Sequence, residues 1–325
     1  VRRGPSHAGK LPAWERLVFG LVFTLMAAFV VAVTMSAAHS QRSELRPGAA
    51  VPDGVLPVGA TSSDRVQPAA VGALGTGHAA PAGGPAALNR KLARALRPVV
   101  RGGQGHLAVG VIDLGTGAEA LYGARRRFAA ASVMQADILA VLLLRHQQAG
   151  TPLSAREAQL AVPMIESSDN GAATRLWQLL GAGPAVATAN RGLGLTHTTP
   201  GPAANWGRSR TTVADQLRLL ADLTAAASPL TAQSRDYVLG LMQDVQPDQQ
   251  WGVTAAASPG TVPAVRSGWL AGPQVWVINS IGVVEHDGHR LLLAILSDQH
   301  ATKAAGVARV SAAAKAAARV MSQAS

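Results

Sequence analysis

Two serines, an asparagine and an arginine carry the chemistry this sequence could perform. Ser132 opens a run, residues 132–148, that is apolar on nearly every face. A helix of that kind is buried, and a serine at its start holds its hydroxyl beside free backbone N–H groups and the positive end of the helix dipole. Alone, such a serine reads as a helix cap; it becomes a nucleophile only where a neighbouring group takes its proton. Three residues on, on the same helical face, stands Gln135. An amide cannot accept a proton near neutral pH. None of the lysines (Lys10, Lys91, Lys303, Lys315) lies three residues after a serine. A second polar cluster, Ser168-Asp169-Asn170, reads by itself as a helix-capping loop, and Arg266-Ser267-Gly268-Trp269 falls on a late strand. There is no cysteine, which removes disulfides, thiolate metal sites, a catalytic thiol and a lipidated cysteine. His286 and His289 flank Asp287-Gly288 and read as a hairpin tip, so no metal and no cofactor is expected.

The elements that must position these residues follow from periodicity and caps. Residues 88–100 read as a helix, 106–113 as a strand, and 119–123 as its return after a Gly-containing turn. After the buried helix, which Gly150 ends, Ser154 and Glu157 form a capping box, and Asp169 or Asn170 caps the following helix. Thr212 with Asp215 starts another helix, and residues 231–244 supply one more. Residues 262–269, 275–285 and 290–297 read as strands, the last pair joined around Asp287-Gly288, and an Ala-rich helix at 301–321 closes the chain. The order predicts an α+β fold: one antiparallel sheet built from both chain ends, with a helical subdomain inserted between.

The three polar segments, in this order and on these elements, resemble the penicillin-recognising serine hydrolases of the class A β-lactamase type. Phe128-Ala-Ala-Ala-Ser132-Val-Met-Gln135 sits where that family carries Ser-x-x-Lys. Ser168-Asp169-Asn170 matches its Ser-Asp-Asn loop letter for letter, and Arg266-Ser267-Gly268 stands where it has Lys-Thr-Gly. Gln250-Trp251-Gly252 and residues 276–282 look like actinobacterial members. The resemblance covers residues 88–321 and implies the serine β-lactamase/transpeptidase fold. It implies Ser132 as nucleophile, with Gln135 at the position of the lysine base and Ser168 as proton relay. It further implies Asn170 on the substrate amide, Arg266 and Ser267 on the substrate carboxylate, Gly268 among the substrate-binding residues, and an oxyanion hole from the backbone of Ser132 and Trp269. Two departures touch proton transfer. The lysine is Gln135, and the loop glutamate that activates the deacylating water is missing, because no acidic residue lies between Asp169 and Asp215. Glu166 precedes the triplet on another element. Losing one positioned base costs about 10²–10⁴ in rate. Two readings follow: a catalytically impaired relative that binds β-lactams or peptidoglycan stem peptides, or an active but atypical serine hydrolase using Ser132.

The rest of the chain bounds the setting. Arg2, Arg3, Lys10 and Arg16 precede an apolar run at 17–35, about 28 Å long as a helix, close to a bilayer's hydrocarbon thickness. Residues 1–16 therefore read as a cytoplasmic basic tail and 17–38 as a transmembrane signal anchor, with a cleaved signal peptide as the rival reading. Residues 39–86, rich in Ala, Gly and Pro, read as a disordered linker, and 87–325 as the folded domain outside the membrane. The net charge of +11 suits anionic lipids or wall polymers. With aromatics at 4% and no basic stripe interleaved with them, nucleic acid is not an expected partner.

Overall fold

The computed structural model describes residues 84–272 and 275–324. The basic tail, the anchor and nearly all of the linker lie outside those residues. Among the described residues no helix is long and apolar enough to cross a membrane. The chain runs α1 (Pro85–Ala95), α2 (Arg97–Arg101), β1 (Leu107–Asp113), β2 (Glu119–Tyr122) and β3 (Phe128–Ala129). A 3-10 turn, Ala131–Val133, leads into α3 (Met134–Ala149), followed by α4 (Ala155–Glu166), α5 (Asn170–Leu179), α6 (Ala182–Gly192), β4 (Arg210–Thr211), α7 (Val213–Thr224) and α8 (Ala232–Gln243). The chain closes with β5 (Ala264–Ala271), β6 (Trp276–His286), β7 (His289–His300) and α9 (Lys303–Ser322). The five-stranded sheet has the order β2-β1-β7-β6-β5, antiparallel throughout, and β3 pairs with β4 in a separate two-stranded ribbon. Both chain ends build the sheet and α3 to α8 are inserted between, as the sequence predicts.

Local chemistry explains most boundaries. Ser154 accepts from the Glu157 amide while Glu157 answers back to Ser154. Asp169 Oδ1 accepts from Ala172 N at 2.8 Å, and Thr212 caps α7 through Asp215 N. Asp287 (φ 49°) and Gly288 (φ 83°) both take the left-handed conformation that a two-residue hairpin requires. The helix expected over 88–100 is instead two, α1 and α2, parted at Leu96 by Pro98, which cannot donate within a continuing helix. α6, β3, β4 and the 3-10 turns carry no clear periodic signal and were not expected. β7 lies at the centre of the sheet with residues 291–296 all buried, in contact with both α7 and α9.

The buried helix α3 holds a carboxyl group, Asp137. Burial pushes its pKa up to about 7; the hydrogen bond from Asn190 Nδ2 at 2.9 Å opposes that rise and the charge of Asp215 adds to it. Because the folded-state pKa exceeds the unfolded one, the folded state holds the extra proton, and stability falls as pH rises from about 4 to about 7. Asp137→Asn is expected to remove this slope, gaining about 1–3 kcal/mol at pH 8 and nothing at pH 4. Urea unfolding at both pH values checks it; equal shifts at the two would refute the assignment.

Candidate active site

Ser132 sits within the 3-10 turn rather than inside α3, because Ala131 before it adopts φ 53° and bends the chain out of β3. A left-handed alanine is strained and persists only where its surroundings enforce it. Here they do. Asn279, buried on β6, donates to the carbonyls of Ala129 (2.7 Å) and Ala130 (2.9 Å), and its Oδ1 accepts from Ser297 N. On the other side β5 passes so close that a Cβ on Gly268 would lie 2.5 Å from Ser132 N and 2.9 Å from Val133 N. Ser168, also left-handed (φ 61°), turns its hydroxyl toward the same point and donates to Ser132 Oγ at 3.1 Å.

Beneath this pair lies a fully buried cation. Arg266 Nε donates to Ser132 O at 3.1 Å, Nη1 to Ile165 O at 3.2 Å, and Nη2 to Gln135 Oε1 at 2.5 Å and to Ser168 Oγ. No carboxylate lies within ion-pair distance of it among the described residues. Burial pushes its pKa down to about 9, which still leaves it charged at neutral pH. Gln135 Nε2 has no hydrogen-bond partner among the described residues. The hydrogen bonds therefore run from Arg266 through Ser168 to Ser132 Oγ. Every group in that chain donates toward the nucleophile position, and none can take its proton.

The cleft above, about 480 Å³, is lined by Ser132, Ser167, Ser168, Asn170 and Thr174, by residues 204–208, and by Trp269 and Leu270. Of the residues singled out in the sequence, Ser132, Ser168, Asn170 and Trp269 meet at this cleft. Gln135, Arg266, Ser267 and Gly268 do not line it. Arg266, expected to face a substrate carboxylate, points inward, since its donors are consumed by the acceptors under Ser132. Ser267 Oγ is likewise engaged below, donating to Trp251 O at 3.0 Å and lying 3.0 Å from Ser280 Oγ. Glu166 turns toward α8, where its charge adds to burial in raising the Tyr237 pKa, and is absent from the cleft. Sequence reasoning missed Arg208, the one charged side chain lining the cleft among the described residues, and Trp206, whose Nε1 donates to Thr174 Oγ1 at 3.1 Å. Trp269 is braced from behind by Lys303 Nζ, 3.5 Å from its ring centre, and by Trp251. Among the described residues no group of His, Cys, Asp and Glu could hold a metal ion.

A serine held just after a left-handed alanine, between a Ser-Asp-Asn loop and the edge strand of an antiparallel sheet, defines the penicillin-recognising serine-hydrolase class, and the comparisons with known proteins agree. Residues 143–321, more than half of the chain, match the sequence profile described as the beta-lactamase enzyme family, and the chain belongs to that family. A curated relative is "Putative lipoprotein LppW" of Mycobacterium tuberculosis, 27% identical over 211 residues that cover 63% of this chain and 67% of that protein. Among solved structures, a beta lactamase from Xanthomonas campestris superposes with a TM-score of 0.61 at 21% identity, covering 72% of this chain and 98% of that one. A class A beta-lactamase from Bacteroides cellulosilyticus gives 0.63 at 13% identity, covering 73% and 99%. The protein named PBP-A gives 0.63 at 18%, covering 73% and 97%. At these identities the likeness to solved structures establishes the fold.

Proposed function

We propose that this protein is a membrane-anchored, extracytoplasmic member of the family whose cleft binds β-lactams or peptidoglycan stem peptides with little or no turnover. The observation that carries this reading is the Arg266–Ser168–Ser132 chain of donors. The position that should accept the serine proton is occupied by an amide already pinned by a guanidinium, and among the described residues no carboxylate, imidazole or amine lines the cleft. Asn170 and Arg208 both line the cleft, which supports Asn170 as the group that would hold a ligand amide and Arg208 as the cation for a ligand carboxylate once Arg266 is occupied. The apolar run at 17–35 and the lipoprotein name of a relative support the membrane placement. The second reading, an active atypical hydrolase, is favoured by one fact: Ser132 is intact and hydrogen-bonded to Ser168.

Calorimetric titration of the purified chain with benzylpenicillin and with an acyl-D-Ala-D-Ala peptide tests binding. Measurable affinity for at least one is expected, and Arg208→Ala is expected to weaken it about tenfold, as loss of one exposed charge-assisted pair implies. Absence of heat with both ligands, in protein shown to be folded, would remove the binding reading.

A further inference from the structure

The outer face of α1 and α2 carries Arg90, Arg94, Arg97 and Arg101, spaced four, three and four apart. That spacing puts all four on one side, opposite the buried Leu88, Leu92 and Leu96. All four are exposed. Adjoining α2 is a groove of about 660 Å³, lined by Val100, His106, Tyr122, Arg125, Arg126 and Arg309 among others. Arg309 is buried: Nε donates to Val99 O at 3.3 Å and Nη1 to Gln104 O. Its Nη2 has no hydrogen-bond partner among the described residues. None of these seven arginines is within ion-pair distance of a carboxylate among the described residues, and the nearby Asp298 is held by His106 at 2.7 Å. Like charges at helical i, i+4 spacing repel, so the stripe does not serve the helix's own stability.

We propose that this stripe and groove form a docking face for anionic phospholipid headgroups. Guanidinium forks pair bidentately with phosphate. The stripe runs over α1 and the short α2 that follows it, about 16 Å if the two are taken end to end, an array suited to several headgroups at a planar surface, with the groove receiving one phosphate against Arg125, Arg126 and Arg309. A lipid surface is favoured over a soluble wall polymer because α1 is the first described helix after the apolar run at 17–35, placed in the membrane above. The inference uses that placement and is independent of what the cleft binds.

Residues 84–325 contain the whole described core, and 72–73% of the chain covers 97–99% of the solved relatives. A fragment of residues 84–325 is therefore expected to fold without the preceding segment, which circular dichroism checks first, and can be tested on vesicles without the apolar run. It is expected to cosediment with vesicles containing 30 mol% (roughly) phosphatidylglycerol, to ignore pure phosphatidylcholine, and to dissociate in about 0.5 M salt. The triple variant Arg94→Gln/Arg97→Gln/Arg101→Gln should bind at least tenfold more weakly. A charge-matched triple on the helical subdomain, Arg156→Gln/Arg175→Gln/Arg191→Gln, should not. Equal losses in the two triples would reduce the effect to net charge and overturn the assignment. So would tight binding to soluble polyphosphate with none to vesicles. No β-lactam is present, so either failure leaves the reading of the cleft intact.

Discussion

Replacing Gln135 with lysine is expected to raise the rate at which a penicillin acylates Ser132 by about 10²-fold, the lower end of what a positioned base contributes. Position 135 lies one turn beyond the serine on its own helical face, and its side chain already shares a guanidinium with Ser168. A lysine amine placed there would be buried and beside Arg266. Both desolvation and like charge lower a lysine pKa, so a neutral amine able to take the proton becomes available near pH 7. The cost falls on stability, because a lysine must be buried beside Arg266 largely in its neutral form and Arg266 Nη2 loses the amide oxygen of Gln135 as its acceptor. A lower melting temperature should accompany the faster chemistry. Intact-mass time courses on the variant and the parent read the rate. If the folded variant labels no faster, the missing base is not what limits Ser132.

Gly268→Ala is expected to destabilise the fold by about 2–4 kcal/mol, at the upper end of overpacking, and to abolish labelling. The added methyl would meet backbone atoms, Ser132 N at 2.5 Å and Val133 N at 2.9 Å, rather than the movable end of a side chain. Neither side can yield freely. β5 is fixed by its register with β6, where Gly268 pairs with Asn279, and that same Asn279 holds the carbonyls of Ala129 and Ala130 just before the serine turn. Urea unfolding measures the first effect and gel labelling the second. A variant as stable as the parent would mean that β5 does not press on Ser132 as described.

Much of this was legible in the residues because local chemistry decided it. The Ser154–Glu157 box, the Asp169 cap and the Asp287-Gly288 turn each rest on a short-range hydrogen bond or a backbone conformation that residue type announces. The ordered polar segments led to the right fold for the same reason. What stayed hidden depends on tertiary direction. Nothing in Arg266 or its neighbours says that the guanidinium turns under the serine instead of into the cleft; that follows from the acceptors Ile165 O, Gln135 Oε1 and Ser168 Oγ converging from two other elements. Ala131 gives no sign of its positive φ. Asn279 looks like an isolated polar residue in an apolar strand until its two carbonyl partners are seen. Arg208 lies in a loop without periodicity, and only the closed chain brings it to the same cleft as Asn170.

The most direct test is steady-state hydrolysis of a chromogenic cephalosporin by the purified protein, with Ser132→Ala as the blank. With both the lysine and the loop glutamate missing, turnover is predicted below about 10⁻² s⁻¹, at least about 10³-fold under the rate of a typical enzyme. A turnover number of about 1 s⁻¹ or more that vanishes in Ser132→Ala would contradict the account, because it would require a proton acceptor that the described residues of the cleft do not supply.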